Sequence, residues 1–467
     1  MKFQKVYNQI LYFYSEVKSE YSTMKKLNPP KVVLLSYLII ILIGAILLFL
    51  PVARTKDIAF IDALFTSTSA VTVTGLIVLD TERDFTLFGQ IVIMLLIQIG
   101  GLGYMTLMTF FLITFGKKNT SIKGQMVLAE ALNSPGLGGI FLFLKRVIII
   151  VLGIESLGVF LLFLVFSQKY SVLRSLWYSV FHCVAAFNNA GFSVFSDNLI
   201  KYRSNLPLNL IIAGLIIFGG IGYYVIIDVY LYLKGKNNRI STHTKIVCIS
   251  TLILIVGGTL GILLSEFHHT RGLWAFDWYD RVLVAFFTSV SARTAGFNTV
   301  DIGTFSPATL FIIVILMFIG ASPGGTGGGI KTVTASVIYL AIINHLKGYS
   351  KTVVFKKTVD NQTIYRAMII LSLAFTFVSI ITLMIIRLED KTFISALFEI
   401  VSAFATVGLS VGTKAGLSLA SNFSIFSKSL VILTMIVGKV GILSFAVAIS
   451  RRERDRRVNY PDARLLI

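Results

Sequence analysis

Four short stretches carry residue types at a spacing that can do chemistry: ALFTSTSAVTVTGL (63–76), SVFHCVAAFNNAGF (179–192), VAFFTSVSARTAGF (284–297) and ALFEIVSAFATVGL (396–409). In each, a phenylalanine (Phe65, Phe181, Phe286, Phe398) stands ten positions before a glycine (Gly75, Gly191, Gly296, Gly408), and that glycine is followed by Leu or Phe. The chemistry is neither acid–base nor nucleophilic, because no nucleophile lies at a workable spacing from a base. Cys183 and Cys248 sit in apolar surroundings and read as inert buried thiols, and the pair His268 and His269 beside Glu266 reads as solvated loop rather than metal site. What a glycine permits is a backbone conformation closed to residues with a Cβ, with its neighbours' carbonyls aimed at a common point. Several carbonyls so arranged replace the hydration shell of a cation. A lone glycine in an apolar run reads as a helix-packing contact; four in register, 105 to 116 residues apart, do not.

The elements that must position these glycines follow from composition. Hydrophobic residues make up 55% of the 467, charged residues 14%, and the mean hydropathy is +0.84, the profile of a polytopic membrane protein. Long apolar runs precede the four stretches at about 32–50, 147–166, 246–264 and 368–386, and follow them at about 91–115, 208–233, 310–343 and 429–449. This predicts eight spanning helices. Between the members of each pair lies an element of about a dozen residues, too short at 1.5 Å per residue to cross ~30 Å of hydrocarbon. It enters and leaves on one side, as a re-entrant helix ending at the glycine. The fold class expected is therefore all-α: four tandem helix–pore-loop–helix repeats around a pseudo-fourfold axis. The repeats span 32–116, 117–234, 235–346 and 347–450, flanked by an N-terminal segment (1–31) and a C-terminal tail (451–467). The segments assigned to one side hold 26 of the 42 Lys and Arg, which makes that side, with both termini, cytoplasmic. The net charge of +20 belongs to this asymmetry and does not indicate nucleic acid. The N-terminal segment lacks the apolar core and cleavage site of a signal peptide.

With that organisation the chain resembles the Ktr/Trk/HKT superfamily of cation transporters, most nearly its bacterial KtrB-type membrane subunits. The resemblance rests on the four glycine stretches and covers nearly the whole sequence. It implies potassium uptake across a bacterial plasma membrane, with an ion-binding filter formed by Thr74 and Gly75, Asn189, Ala190 and Gly191, Thr294, Ala295 and Gly296, and Thr406, Val407 and Gly408. Glycine at all four filter positions favours potassium, since some sodium-preferring relatives carry serine in the first. It further implies a homodimer, contact with membrane lipid, and a cytosolic KtrA-type regulatory ring. The chain contains no Rossmann fingerprint, so no cofactor is expected in it and any nucleotide belongs to the partner; potassium is cargo. A sodium or mixed conductor and a secondary transporter of another solute remain as alternatives, although the latter fold characteristically shows inverted repeats and these are direct.

The helix after the third stretch contains IGASPGGTGGGIKT (319–332), with five Gly and a Pro in seven residues. At ~1 kcal/mol per Gly and ~3 for Pro it does not stay helical. Gly-Lys-Ser/Thr order and a preceding strand are both missing, which excludes a phosphate loop. In the resembled family this segment is a gating loop, a role that falls here on Ala321, Ser322, Pro323, Gly324, Gly325, Thr326, Gly327, Gly328 and Gly329. Lys439, an ammonium inside an apolar run, is costly there and reads as functional; the family places a basic residue at this point, near the gate. Arg293 and Glu399 are expected to pair with each other behind the filter as scaffold, and Glu155 and Asp228 to face protein or interface.

Overall fold

The computed structural model describes residues 29–103, 140–235, 237–267, 272–412 and 416–449. Residues 1–28, all of 104–139, the C-terminal tail and the pair His268 and His269 lie outside these. The described residues form fifteen α-helices, a few 3-10 turns and one two-stranded hairpin. In chain order the helices are α1 (Pro29–Phe49), α2 (Phe60–Thr72), α3 (Leu87–Leu102), α4 (Ile140–Phe166), α5 (Val172–Phe187), α6 (Leu206–Gly220), α7 (Tyr223–Leu233), α8 (Thr242–Ser265), α9 (Trp278–Ser291), α10 (Pro307–Phe318), α11 (Thr332–Leu346), α12 (Asn361–Glu389), α13 (Phe393–Ala405), α14 (Ile425–Val440) and α15 (Ile442–Ile449). The hairpin, β1 (Val353–Val354) with β2 (Lys357–Thr358), follows α11.

Each glycine stretch is built from three helices in the same order. A long apolar helix (α1, α4, α8 or α12) comes first, then a short one (α2, α5, α9, α13), then an outer helix (α3, α6, α10, α14). The short helices have 13, 16, 14 and 13 residues, about 20–24 Å at 1.5 Å each. The outer helices all begin at a polar cap: the side-chain oxygens of Thr86, Asn205, Ser306 and Ser424 each accept the backbone N–H three residues on. Three of the short helices hang from the long helix before them by a matching bond. Ser67 donates to the Ile41 carbonyl, Cys183 to that of Glu155 and Ser289 to that of Ile255. Three residues beyond each acceptor stands a glycine, Gly44, Gly158 or Gly258, where a Cβ would strike the short helix.

The packing closes on itself. Every outer helix lies against the short helix of the next copy: α3 on α5, α6 on α9, α10 on α13, and α14 back on α2. A salt bridge marks the closure, with Lys428 Nζ 2.6 Å from Asp62 Oδ1 across 366 residues of sequence. The buried core follows the short helices; Phe65, Phe181, Phe287 and Phe398 are fully enclosed. The third copy therefore buries Phe287, not the Phe286 that the tenfold spacing singles out. Ser289 stands seven residues before Gly296 whereas Ser67 stands eight before Gly75, so the third copy is one residue shorter there.

Other expectations are corrected. Only the first helix of each copy is long and apolar enough to cross a membrane unaided, four among the described residues, or six counting two bent pairs. The second apolar runs are not continuous spans. Run 208–233 breaks between α6 and α7 with a bend of 97°, and run 429–449 between α14 and α15 with a bend of 104°. Run 310–343 opens into a loop, and α3 stops at Gly103. Gly103, Gly222 and Gly441 have φ of 75°, 97° and 88°, in the left-handed region where an α-helix cannot continue. Arg293 and Glu399 do not pair. The guanidinium reaches Thr251 Oγ1 on α8, while Glu399 turns to Ser410 and the Ala420 N–H. Cys183 is buried, but Cys248 is exposed on the apolar outer face of α8.

Candidate functional site

The four glycines meet in one closed ring. A Cβ placed on Gly75 would lie 3.0 Å from the Gly191 Cα, one on Gly191 2.9 Å from that of Gly296, one on Gly296 3.1 Å from that of Gly408, and one on Gly408 2.9 Å from that of Gly75. The carbonyl against each glycine comes from the residue preceding the next glycine round the ring: Ala190, Ala295, Val407 and Thr74. No side chain fits at any of the four positions, and their φ values of 89°, 65°, 79° and 93° disfavour one independently. Two residues earlier, Val73, Asn189, Thr294 and Thr406 also have positive φ, 59°, 59°, 72° and 51°. Each short helix is thus followed by the same pair of left-handed residues flanking one that is not, with the helix's partly negative C-terminus at the ring. In the first copy the left-handed residue is Val73, which composition does not advertise, since a β-branched side chain rarely adopts it.

Hydroxyls on the short helices fix this backbone. Ser69 Oγ accepts the Gly75 N–H and Ser402 Oγ the Gly408 N–H, both at 3.0 Å. The Ser69, Ala185 and Ser402 carbonyls accept the N–H groups of Thr74, Ala190 and Val407 at 2.8 Å. Ser69 and Ser402, each six residues before its glycine, are candidate site residues that sequence reasoning passed over; the signal was a serine at the same offset in two of the four stretches. Thr74, Asn189, Ala190, Thr294, Ala295, Thr406 and Val407 are all fully buried at the ring.

On one side of the ring lies the interrupted run between α10 and α11. A parallel bridge between Ile319 and Ile330 closes the base of loop 321–329. Its backbone is tied to two other copies. The N–H groups of Ser322 and Thr326 donate to the Gly220 and Gly219 carbonyls at the end of α6, and the Tyr223 N–H donates to the Gly324 carbonyl. These bonds satisfy backbone groups that the break in α6 would leave bare in an apolar setting. The Gly328 N–H donates to Thr406 Oγ1 at 2.8 Å, so the loop touches the segment two residues from a ring glycine. A Cβ on Gly327 would lie 2.7 Å from the Thr294 Cβ, which puts the loop against two of the four left-handed residues. Two ammonium groups bind its carbonyls: Lys439 Nζ donates to Thr326 O and Lys331 Nζ to Gly327 O, each at 2.6 Å. Lys331 was not singled out from the sequence, because it follows the glycines and reads as the start of a helix.

The comparisons with known proteins can be set against this geometry. The family model described as TrkH, cation transport protein, matches residues 8–460. The chain belongs to this family. The Ktr system potassium uptake protein B of Bacillus subtilis (strain 168) is 38% identical over 442 residues, 94% of this chain and 96% of that one. The protein of the same name from Vibrio alginolyticus is 37% identical over 437 residues, 94% of each. Among solved structures, the crystal structure of the potassium transporter TrkH from Vibrio parahaemolyticus superposes with a TM-score of 0.70 at 17% identity, covering 90% of this chain and 84% of that one. The architecture is thus that of the TrkH family, in a multi-pass membrane protein.

In this TrkH-family chain the two acidic groups Glu155 and Asp228 have structural partners. Glu155 on α4 accepts from Gln98 on α3 at 3.0 Å, and Gln98 in turn accepts from Asn188, beside the ring residue Asn189. Asp228 accepts from Asn237, Ser241 and Thr244 and so ties α7 to the start of α8. The family is one of transporters and not of enzymes, and among the described residues no group of three His, Cys, Asp or Glu could hold a metal ion.

Proposed function

We propose that this protein takes up potassium across the bacterial plasma membrane through the ring of Gly75, Gly191, Gly296 and Gly408, with both termini cytoplasmic. The observation that carries the reading is the closed order of the ring, in which each glycine abuts the carbonyl preceding the next. Four backbone segments from sites over 100 residues apart converge where no side chain fits, leaving carbonyls as the only oxygen ligands the ring backbone offers a dehydrated cation. The potassium-uptake names of the two relatives, aligned over more than nine-tenths of the chain, support potassium as the cargo. On this reading the four copies are the four repeats of a pseudo-fourfold ion path, with boundaries near 116, 234 and 346.

Loop 321–329 is the gate in this proposal. It lies against Thr294 and Thr406 at the ring, and five of its nine residues are glycines with no side chain to anchor them. Lys439 holds it through Thr326, and the ammonium charge adds an electrostatic barrier to a cation. The relatives' designation as part of a Ktr system supports a regulatory partner, and we assign that role to a cytosolic KtrA-type ring that carries any nucleotide, bound to a homodimer of this chain. The test is growth of a potassium-uptake-deficient bacterium at low external potassium, with and without added sodium. Rescue by the wild-type chain and loss of rescue on Gly408→Asp support the proposal; no rescue by a chain shown to be in the membrane refutes it.

A further inference from the structure

The ring is fourfold in its glycines, but only the second and fourth copies brace the second residue beyond the glycine from their own short helices. In the second copy His182 lies nine residues before Gly191, and Ser193 two after it. His182 Nδ1 lies 2.8 Å from the Tyr178 carbonyl, which can only accept, so Nδ1 carries the proton and Nε2 accepts from the Ser193 hydroxyl at 2.9 Å. Ser193 Oγ in turn accepts the Phe195 N–H at 3.0 Å. The fourth copy repeats the arrangement with different chemistry. Glu399, nine residues before Gly408, accepts from the Ser410 hydroxyl at 2.6 Å, and Ser410 Oγ accepts the Gly412 and Leu419 N–H groups. The second carboxylate oxygen accepts the Ala420 N–H at 3.0 Å. His182 and Glu399 are both fully buried.

The first copy has no such strut, and in the third the short helix reaches only the residue directly after the glycine, where the Ser291 hydroxyl donates to the Phe297 carbonyl. The positions matching His182 and Glu399 are Thr66 and, allowing for the residue missing from the third copy, Thr288; those matching the serines are Ile77 and Asn298. There the chain beyond the glycine is clipped from the side by the neighbouring copy. The Ser418 N–H donates to the Ile77 carbonyl and the Leu199 N–H to the Asn298 carbonyl. Copies two and four, diagonal in the ring, are braced two residues beyond the glycine by their own short helices, and each holds one of the other two.

We infer that His182–Ser193 and Glu399–Ser410 are paired struts that set the spacing of the ring and hence its discrimination between potassium and smaller cations. The inference rests on the proposed role of the ring. His182, Ser193, Glu399 and Ser410 are positioning residues, acting through the backbone that follows Gly191 and Gly408. A hydroxyl bond is the right size of brace: its loss shifts a local equilibrium by about three- to tenfold.

The experiment is uptake into proteoliposomes of potassium against sodium, measured on monodisperse protein. Ser193→Ala and Ser410→Ala are each expected to lower the potassium-over-sodium ratio about three- to tenfold, and together to multiply. Glu399→Gln is expected to lower it as well, and the double variant with Ser410→Ala to fall short of the product of the two single effects, because the two changes share the Glu399–Ser410 bond while the serine alone also accepts the Gly412 and Leu419 N–H groups. Ser410→Thr keeps the hydroxyl and is expected to restore the ratio; Thr66→Val, at the same depth but outside any strut, leaves it unchanged. Should Ser410→Ala not fold, Ser193→Ala and His182→Phe carry the same test in the second copy. An unchanged ratio in the serine variants, alongside a changed ratio in Gly408→Ser, overturns the struts and spares the ring. An unchanged ratio in Gly408→Ser overturns the ring reading, and the struts with it.

Discussion

The ammonium nitrogen of Lys439 lies 2.6 Å from the carbonyl oxygen of Thr326, joining the outer helix of the fourth copy to the loop that interrupts the third. A charge placed among apolar helices is tolerated when it meets carbonyls that a broken helix has left without partners. The same bond is one of several that set the loop's position, with those from Lys331 and Thr406. Lys439→Ala is expected to change potassium flux severalfold while leaving the potassium-over-sodium ratio as it was. Flux assays in proteoliposomes read both quantities, and wild-type flux at every potassium concentration returns Lys439 to a packing role.

Gly75→Ser and Gly408→Ser place a Cβ against a carbonyl and against the next glycine, at positions whose φ already disfavours one. Both are expected to lower potassium preference about tenfold or more, on the order of 1.4 kcal/mol of discrimination. Selectivity unchanged in both variants would falsify the assignment of the ring as filter.

Thr406→Val replaces a hydroxyl with a methyl group of similar size and leaves the Gly328 N–H without its acceptor. An unpaired buried N–H costs about 1–3 kcal/mol, a cost borne by the loop's closed arrangement. The expected result is higher basal flux without the cytosolic partner. Shortening loop 321–329 by three glycines is expected to act in the same direction and more strongly. Reduced conduction by either variant, in folded protein, sinks the gate.

Lys428 and Asp62 join the last outer helix to the first short helix, with their side chains 11% and 18% exposed. Asp62→Asn is expected to lower stability by about 1.5–3 kcal/mol, the worth of a charge-assisted bond in a partly shielded place. The melting temperature in detergent should fall accordingly, and the reversed pair Asp62→Lys with Lys428→Asp should recover part of the loss. An equal drop in the single and reversed variants is the outcome that denies the bridge a role.

The sequence by itself was enough for the parts of this protein that rest on local chemistry. Apolar runs specify membrane helices, a dozen residues cannot cross a bilayer, and a glycine repeated four times at one offset marks a backbone constraint that no side chain meets. The loop 321–329 was legible for the same reason, because so many glycines beside a proline cannot remain helical. The breaks at Gly222 and Gly441 were not. A single glycine in an apolar run is compatible with an unbroken helix, and what opens the one at Gly222 is a neighbour, the Ser322 and Thr326 N–H groups binding carbonyls of α6. Nor did spacing show that Arg293 and Glu399 part company, or that His182 and Glu399, both nine residues before their glycines, each bind the serine two residues beyond, since one is an imidazole and the other a carboxylate. Hydrogen-bond partners are chosen by three-dimensional proximity, and residues over 100 positions apart become neighbours only when the ring closes. Tertiary structure decided which polar groups meet; the order of the chain decided that four glycines would be there to be held.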